Sequence, residues 1–219
     1  MKARVLIFLG APGSGKGTQA KKLCEKFPGW LHVSTGDLFR KEIASGSELG
    51  KSVQEIIASG KLVSDDTTNQ VFASQVERLL SQGPVKGLIL DGYPRTRPQT
   101  QFLIDFCRKS GKLEDPKAIE LLVSEEAVVE RLSNRLINPR SGRVYHKLFS
   151  PPRVPGKDDE DGGELIQRDD DKPEVIRSRF KLYTSQRDGI VNELGNDRVN
   201  QVPGEGETSA IAAQLSNLL

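Results

Sequence analysis

The sequence predicts an α/β fold, a parallel sheet wrapped by helices, and three observations carry that prediction. Runs of strand character at Val5–Leu9, Leu31–Ser34, Gly87–Asp91, Ala118–Val123 and Arg198–Val202 alternate with helical patterns. The first run leads straight into a glycine-rich turn, GAPGSGKGT at 10 to 18, and then into a helix. The third ends in Asp91, an acid at the carboxyl edge of a buried strand, where ligands of open α/β sheets sit.

Each element follows from its local signals. A helix is expected from Gly15 to about Phe27, where Pro28 and Gly29 stop it. Asp37 is expected to cap a short helix reaching Ala44, and Ser47 to begin another that reaches Ser59 and ends at Gly60. Asp65 or Asp66 starts a longer helix in which Val71, Phe72, Val76, Leu79 and Leu80 recur at helical spacing. Thr96 caps a helix carrying Phe102, Leu103 and Phe106, and Val128, Val129, Leu132 and Leu136 mark another that ends near Pro139. A long helix follows Pro173, and the tail, Ser209 to Leu219, repeats apolar residues at Ile211, Leu215 and Leu218. These stripes read as core packing. Two stretches break the rhythm: residues 35 to 66 make a small helical insert, and residues 138 to 168, rich in proline, glycine and acids, form a loop too long to be only a connection.

Composition narrows the function. With 219 residues and a formal net charge of +2, the chain fits one large enzyme domain and lacks the basic excess of a nucleic-acid binder. The two cysteines, Cys24 and Cys107, lie in helical patterns without a CxxC partner, which argues for buried thiols rather than disulfide or zinc chemistry. The first apolar run ends after five residues, too short for a signal segment or a membrane span, so a soluble cytoplasmic protein with no membrane partner is expected.

The turn at 10 to 18 is where chemistry is written most clearly. Glycines let successive backbone N–H groups converge on one anion, the helix N-terminus adds positive charge, and Lys16 reaches the outer phosphates. The usual hydroxyl directly after the lysine is replaced by Gly17 and comes one residue late, at Thr18. Phosphoryl transfer needs fixed positive charge, alignment and exclusion of water. Arg40, Arg95, Arg131, Arg135, Arg168 and Arg179 come from separate segments around this P-loop, with Arg131 and Arg135 read as four apart on one helix face. Asp91 resembles an acid that holds Mg²⁺ through water.

Five motifs in order, GAPGSGKGT (10 to 18), STGDLFR (34 to 40), GKLVS (60 to 64), DGYPRTRPQ (91 to 99) and SGRVYH (141 to 146), resemble the adenylate kinases of the long-lid type over essentially the whole chain. The resemblance implies reversible, Mg²⁺-dependent transfer from ATP to AMP giving two ADP, in a monomer. It implies a P-loop core with a five-stranded parallel sheet (1 to 34, 67 to 137 and 169 to 219), an AMP-binding insert (35 to 66) and a mostly β or loop lid (138 to 168). Carried over by position, Gly13, Ser14, Gly15, Lys16, Gly17 and Thr18 would hold the ATP phosphates, and Arg131 would lie against its adenine near Val144, Tyr145 and Gly206. Arg40 and Arg95 would grip the AMP phosphate, with Thr35, Lys61, Leu62, Val63, Gly92, Tyr93, Pro94 and Gln99 framing the rest of that nucleotide. Arg135, Arg168 and Arg179 would converge on the moving phosphoryl group, and Asp170 and Asp171 would hold the lid closed.

Departures from the family matter as well. Where long lids of many relatives carry zinc-binding cysteines, this chain has Asn138, Ser141, Asp158 and Asp161, a set that favours a hydrogen-bonded cluster over structural zinc. A GTP:AMP phosphotransferase or another nucleoside-monophosphate kinase is the nearest rival reading, and a P-loop nucleotide switch a remote one.

Overall fold

The computed structural model describes residues 2–219. In chain order its strands are β1 (Arg4–Gly10), β2 (Trp30–Ser34), β3 (Gly87–Asp91), β4 (Lys117–Leu122), β5 (Arg135–Ile137), β6 (Val144–His146) and β7 (Val199–Pro203). The helices are α1 (Lys16–Lys26), α2 (Thr35–Ser45), α3 (Glu48–Ala58), α4 (Asp65–Ser81), α5 (Arg97–Ser110), α6 (Glu125–Ser133), α7 (Pro173–Leu194) and α8 (Thr208–Ser216).

Five strands form a parallel sheet in the order β2-β3-β1-β4-β7, as the alternating pattern predicts. Alternate residues of β1 face opposite layers: Val5, Ile7 and Leu9 pack with residues of α4, α5 and α7, whereas Leu6 and Phe8 pack with Ala20 and Leu23 of α1 and Ile211 and Leu215 of α8. Both faces are therefore dry, which is why β1 and β3 read as unbroken apolar runs. The chain leaves β1 for β2 on one side and later returns to β4 on the other. The strand order reverses beside β1, opening a crevice at the carboxyl ends of β1 and β3.

Ser and Thr caps start five helices: the side chains of Ser34, Ser47, Ser64, Thr96 and Ser124 each accept a backbone N–H three residues on. Asp37 is therefore not the cap of α2. Ser34 is, and Asp37 sits in the first turn with its carboxylate turned to Arg40 at 2.7 Å. The insert closes over Phe39, Val53 and Val63, and α2 and α3 approach so closely that a Cβ on Gly50 would overlap the Glu42 carbonyl.

The helix expected to reach Pro139 ends at Ser133 instead. Leu132 and Leu136 share helical spacing, but Leu136 pairs with Tyr145, and Ile137 with Val144, in the antiparallel β5–β6 ribbon. Arg135 is consequently on a strand and does not share a helix face with Arg131. Beyond the ribbon, Asn138 is fully buried and donates to Asp158 at 2.7 Å and to Asp161 at 2.8 and 3.0 Å. Arg143, which sequence reading did not single out, is the hub of this cluster, pairing with Asp158 at 2.8 Å, Glu160 at 2.6 Å and Asp161 at 2.9 Å. Among the described residues no helix is long and apolar enough to cross a membrane.

Candidate active site

The turn after β1 carries the first part of the site. α1 differs from the five capped helices: its N-cap, Gly15, has φ +96° and no side chain caps it. Nothing lies within 4 Å of a Cβ built on Gly15, so the left-handed backbone alone demands glycine there. The first amides of α1 thus have no side-chain acceptor, the condition for anion binding. Lys16 folds across this turn, its Nζ donating to Gly10 O at 2.8 Å and Ala11 O at 2.7 Å. Burial, opposed by Asp91 but reinforced by Arg95, Arg179 and Arg135, lowers its pKa to about 8.

Asp91 ends β3 on the other side of the crevice and accepts from His32 Nε2 at 3.3 Å. Burial would raise its pKa, but the His32 contact and the Lys16 charge outweigh it and keep the carboxylate ionised. A Cβ on Gly17 would lie 3.1 Å from Asp91 Oδ2, so α1 and β3 meet closely here. One carboxylate beside a turn whose amides lack side-chain acceptors would suit Mg²⁺, an ion that keeps most of its waters and is usually held by one or two carboxylates. Asp91 would be its protein anchor.

Beside the crevice lies an open cleft between insert and core. It gathers Thr35, Arg40, Lys61, Leu62, Val63, Gly92, Arg95, Gln99 and Arg179 from segments far apart in sequence, together with Asp170. Gly36, Phe39, Ile57 and Thr68 also line it and escaped sequence reading, since small and apolar residues carry no chemical signature. Gly92 O accepts from Thr35 Oγ1 and from Arg95 Nε, both at 2.8 Å, which sets the Arg95 side chain against the strand end. Tyr93 and Pro94 lie behind this wall: both are buried, and the Tyr93 hydroxyl donates to Asn69 Oδ1 at 2.6 Å.

Two of the remaining arginines are held by acids. Arg135 makes a two-point pair with Asp171, at 2.8 and 2.6 Å, and Arg179 pairs with Asp170 at 2.8 Å. Asp170 and Asp171 thereby join the base of the β5–β6 ribbon to α7. Arg168 lies just before them, and its buried Nε has no protein acceptor. Burial and the like charges of Arg135 and Arg40 lower its pKa to about 9, and burial with Arg179 lowers that of Arg95 to about 10. Arg95 still presents its surface to the open cleft, while protein surrounds it on the other sides. Guanidinium groups stay protonated in proteins, so this crowding is felt as repulsion rather than as lost charge.

The residues expected around the second base are more dispersed. Arg131 lies in the last turn of α6, close enough to the Glu205 carboxylate to influence it, and Gly206 follows in the loop after β7 with φ +107°. Val144 and Tyr145 lie on the ribbon, where the Tyr145 hydroxyl accepts from Asp159 N at 2.8 Å. The ribbon reaches the core through Lys21 Nζ, 3.2 Å from Gly142 O. Leu132 of α6 packs where a Cβ on Gly13 would be, 2.9 Å away, so α6 backs directly onto the turn.

Comparison with known proteins points to one family. A family model described as adenylate kinase matches residues 8–198. An adenylate kinase of Fervidobacterium nodosum is 44% identical over 217 residues, covering 98% of this chain and 96% of that protein. An adenylate kinase of Thermosipho melanesiensis is 42% identical over 215 residues, covering 98% of each.

Proposed function

Because the chain belongs to the adenylate kinase family and is a phosphotransferase, we propose that it catalyses the reversible transfer of the γ-phosphoryl group of MgATP to AMP, giving two ADP. The observation that best supports this reading is the crowding of Lys16, Arg40, Arg95, Arg135, Arg168 and Arg179 about one crevice, where burial first, and then the like charge of neighbouring arginines, lowers the pKa of Lys16, Arg95, Arg168 and Arg179. Two nucleotides bring the phosphates that relieve it.

On this reading, AMP occupies the cleft beneath the insert, its phosphate on Arg40 and Arg95, its base and sugar against Thr35, the Lys61–Leu62–Val63 backbone, Gly92 and Gln99. ATP lies on Gly13 to Thr18, with Lys16 at its outer phosphates and Arg131, Val144, Tyr145 and Gly206 at its base. An AMP phosphate oxygen attacks the γ-phosphorus as the bond to the β–γ bridging oxygen breaks, so ADP leaves from one side and ADP forms on the other. Arg135, Arg168 and Arg179 stabilise the charge on the equatorial oxygens. Asp91 would hold Mg²⁺, which when bound would supply positive charge to the ATP phosphates. The insert (35 to 66) and the lid (138 to 168) close over the core and exclude water, with Asp170 and Asp171 steadying Arg179 and Arg135. The same reading makes the protein a cytoplasmic monomer.

A coupled assay tests this directly, with AMP, CMP, UMP and GMP as acceptors and MgATP or MgGTP as donors. Preference for ATP with AMP is expected. Preference for GTP would change the donor, and transfer to no monophosphate would overturn the reading.

A further inference from the structure

Gln99 is 1% exposed and lines the cleft assigned above to AMP, but its amide is already engaged at both ends. Its Oε1 accepts from the backbone N–H of Arg95 at 2.8 Å, and its Nε2 donates to Asp65 Oδ1 at 2.8 Å. A backbone N–H can only donate and a carboxylate can only accept, so the two partners dictate which way round the amide sits. One N–H and one lone pair remain for a ligand.

Asp65 is itself held. The same Oδ1 accepts from Thr96 Oγ1 at 3.0 Å, while Thr96 Oγ1 accepts from Gln99 N at 3.2 Å. One turn further along α4, Asn69 takes the Tyr93 hydroxyl, which also lies 3.3 Å from Gln99 O. The first two turns of α4 thus grip the start of α5 at several points, and the carboxylate stays aimed at the amide.

We propose that Asp65 is a specificity-determining positioning residue: by fixing the sense of the Gln99 amide, it makes the cleft accept adenine and reject 6-oxopurines. Adenine carries a donor at N6 beside an acceptor, whereas a 6-oxopurine carries an acceptor at O6. A glutamine locked in one sense matches the first and sets like against like with the second. Turned over in the wild-type protein, it would face Nε2 to a backbone N–H and Oε1 to a carboxylate. In Asp65→Asn the second obstacle disappears, because an asparagine amide can itself turn to suit either sense. The inference rests on the reading that AMP is the acceptor and that its base meets Gln99.

The test compares kcat/KM for AMP and for inosine monophosphate in wild type, Asp65→Asn, Gln99→Ala and the double variant, with thermal melts to confirm folding. Wild type should prefer AMP; if it does not, the functional reading itself fails before Asp65 is considered. Asp65→Asn should lower the AMP-to-IMP ratio by about ten- to a hundredfold, the worth of a hydrogen bond to a charged group. In the Gln99→Ala background the same substitution should leave the ratio unchanged, because its effect passes through that amide. An unchanged ratio in Asp65→Asn, equal losses for both substrates, or an effect that persists without Gln99 would each overturn the proposal. If Asp65→Asn does not fold, Asp65→Glu, which keeps the charge but displaces it by one methylene, must show the same loss of discrimination.

Discussion

Nucleotide binding should draw a proton onto Lys16, and the structure sets both the sign and the size of that uptake. In the free protein burial and the neighbouring arginines bring its pKa from 10.5 to about 8. A phosphate beside Nζ supplies the missing counter-charge and returns the group toward its ordinary value. At pH 7 about a tenth of free Lys16 is neutral, at pH 8 about half and at pH 9 about nine-tenths, so uptake should climb from about 0.1 to about 0.9 proton across that range. The complex binds more protons than the free protein, so affinity falls as pH rises above 8. The gap between 10.5 and about 8 limits that fall to about 300-fold. Arginines remain charged throughout and phosphate groups have lost their last proton well below pH 8, so neither masks the signal. Calorimetric titration with a non-hydrolysable ATP analogue, in buffers of different ionisation enthalpy, reads the uptake directly, and Lys16→Met should abolish it. Less than about 0.1 proton at pH 8.5, or the same uptake in Lys16→Met, would refute the argument.

Three further predictions concern the scaffold. Glu120 in β4 is 2% exposed and accepts from Arg187 at 2.8 and 2.6 Å, Tyr183 at 2.7 Å and Gln201 at 2.9 Å. Removing the cation in Arg187→Ala should cost about 2–4 kcal/mol in urea unfolding at pH 7. Burial alone would raise the Glu120 pKa, but its three donors hold it below the ordinary value. The stability it contributes is therefore present above the unfolded-state carboxylate pKa and lost as pH falls through the folded one, and the cost of Arg187→Ala should shrink in acid. Arg143→Ala should loosen residues 138 to 166 while leaving the sheet intact, seen as faster amide exchange confined to the ribbon and its loop; uniform acceleration would contradict the hub role. Burial raises the pKa of the Cys107 thiol to about 12, so it should label with thiol reagents at neutral pH only as fast as the protein opens, while the half-buried Cys24, raised to about 11, should react slowly. Rapid stoichiometric labelling of the native protein would count against this.

Much of the site was legible in the sequence because its demands are local. A strand, a left-handed glycine, an uncapped helix start and a lysine follow one another within Val5 to Thr18, and each is dictated by backbone geometry over a few residues. The central strands β1 and β3 could be read for a similar reason, since burial on both faces leaves apolar runs that need no knowledge of partners. Where two local signals competed, reading by period failed: Leu132 and Leu136 fit a helix, yet pairing across the ribbon captured Leu136 and took Arg135 out of α6. Only the tertiary structure determined which charges meet. Asp171 lies 36 residues from Arg135, Asp65 lies 34 from Gln99, and Arg187 lies 67 from Glu120. Nothing within a few residues of Arg143 or Asp65 distinguishes either from a solvated surface charge. Hydrogen bonding and desolvation act through space, and the chain's return paths over the sheet, not its order, decided which side chains would share them.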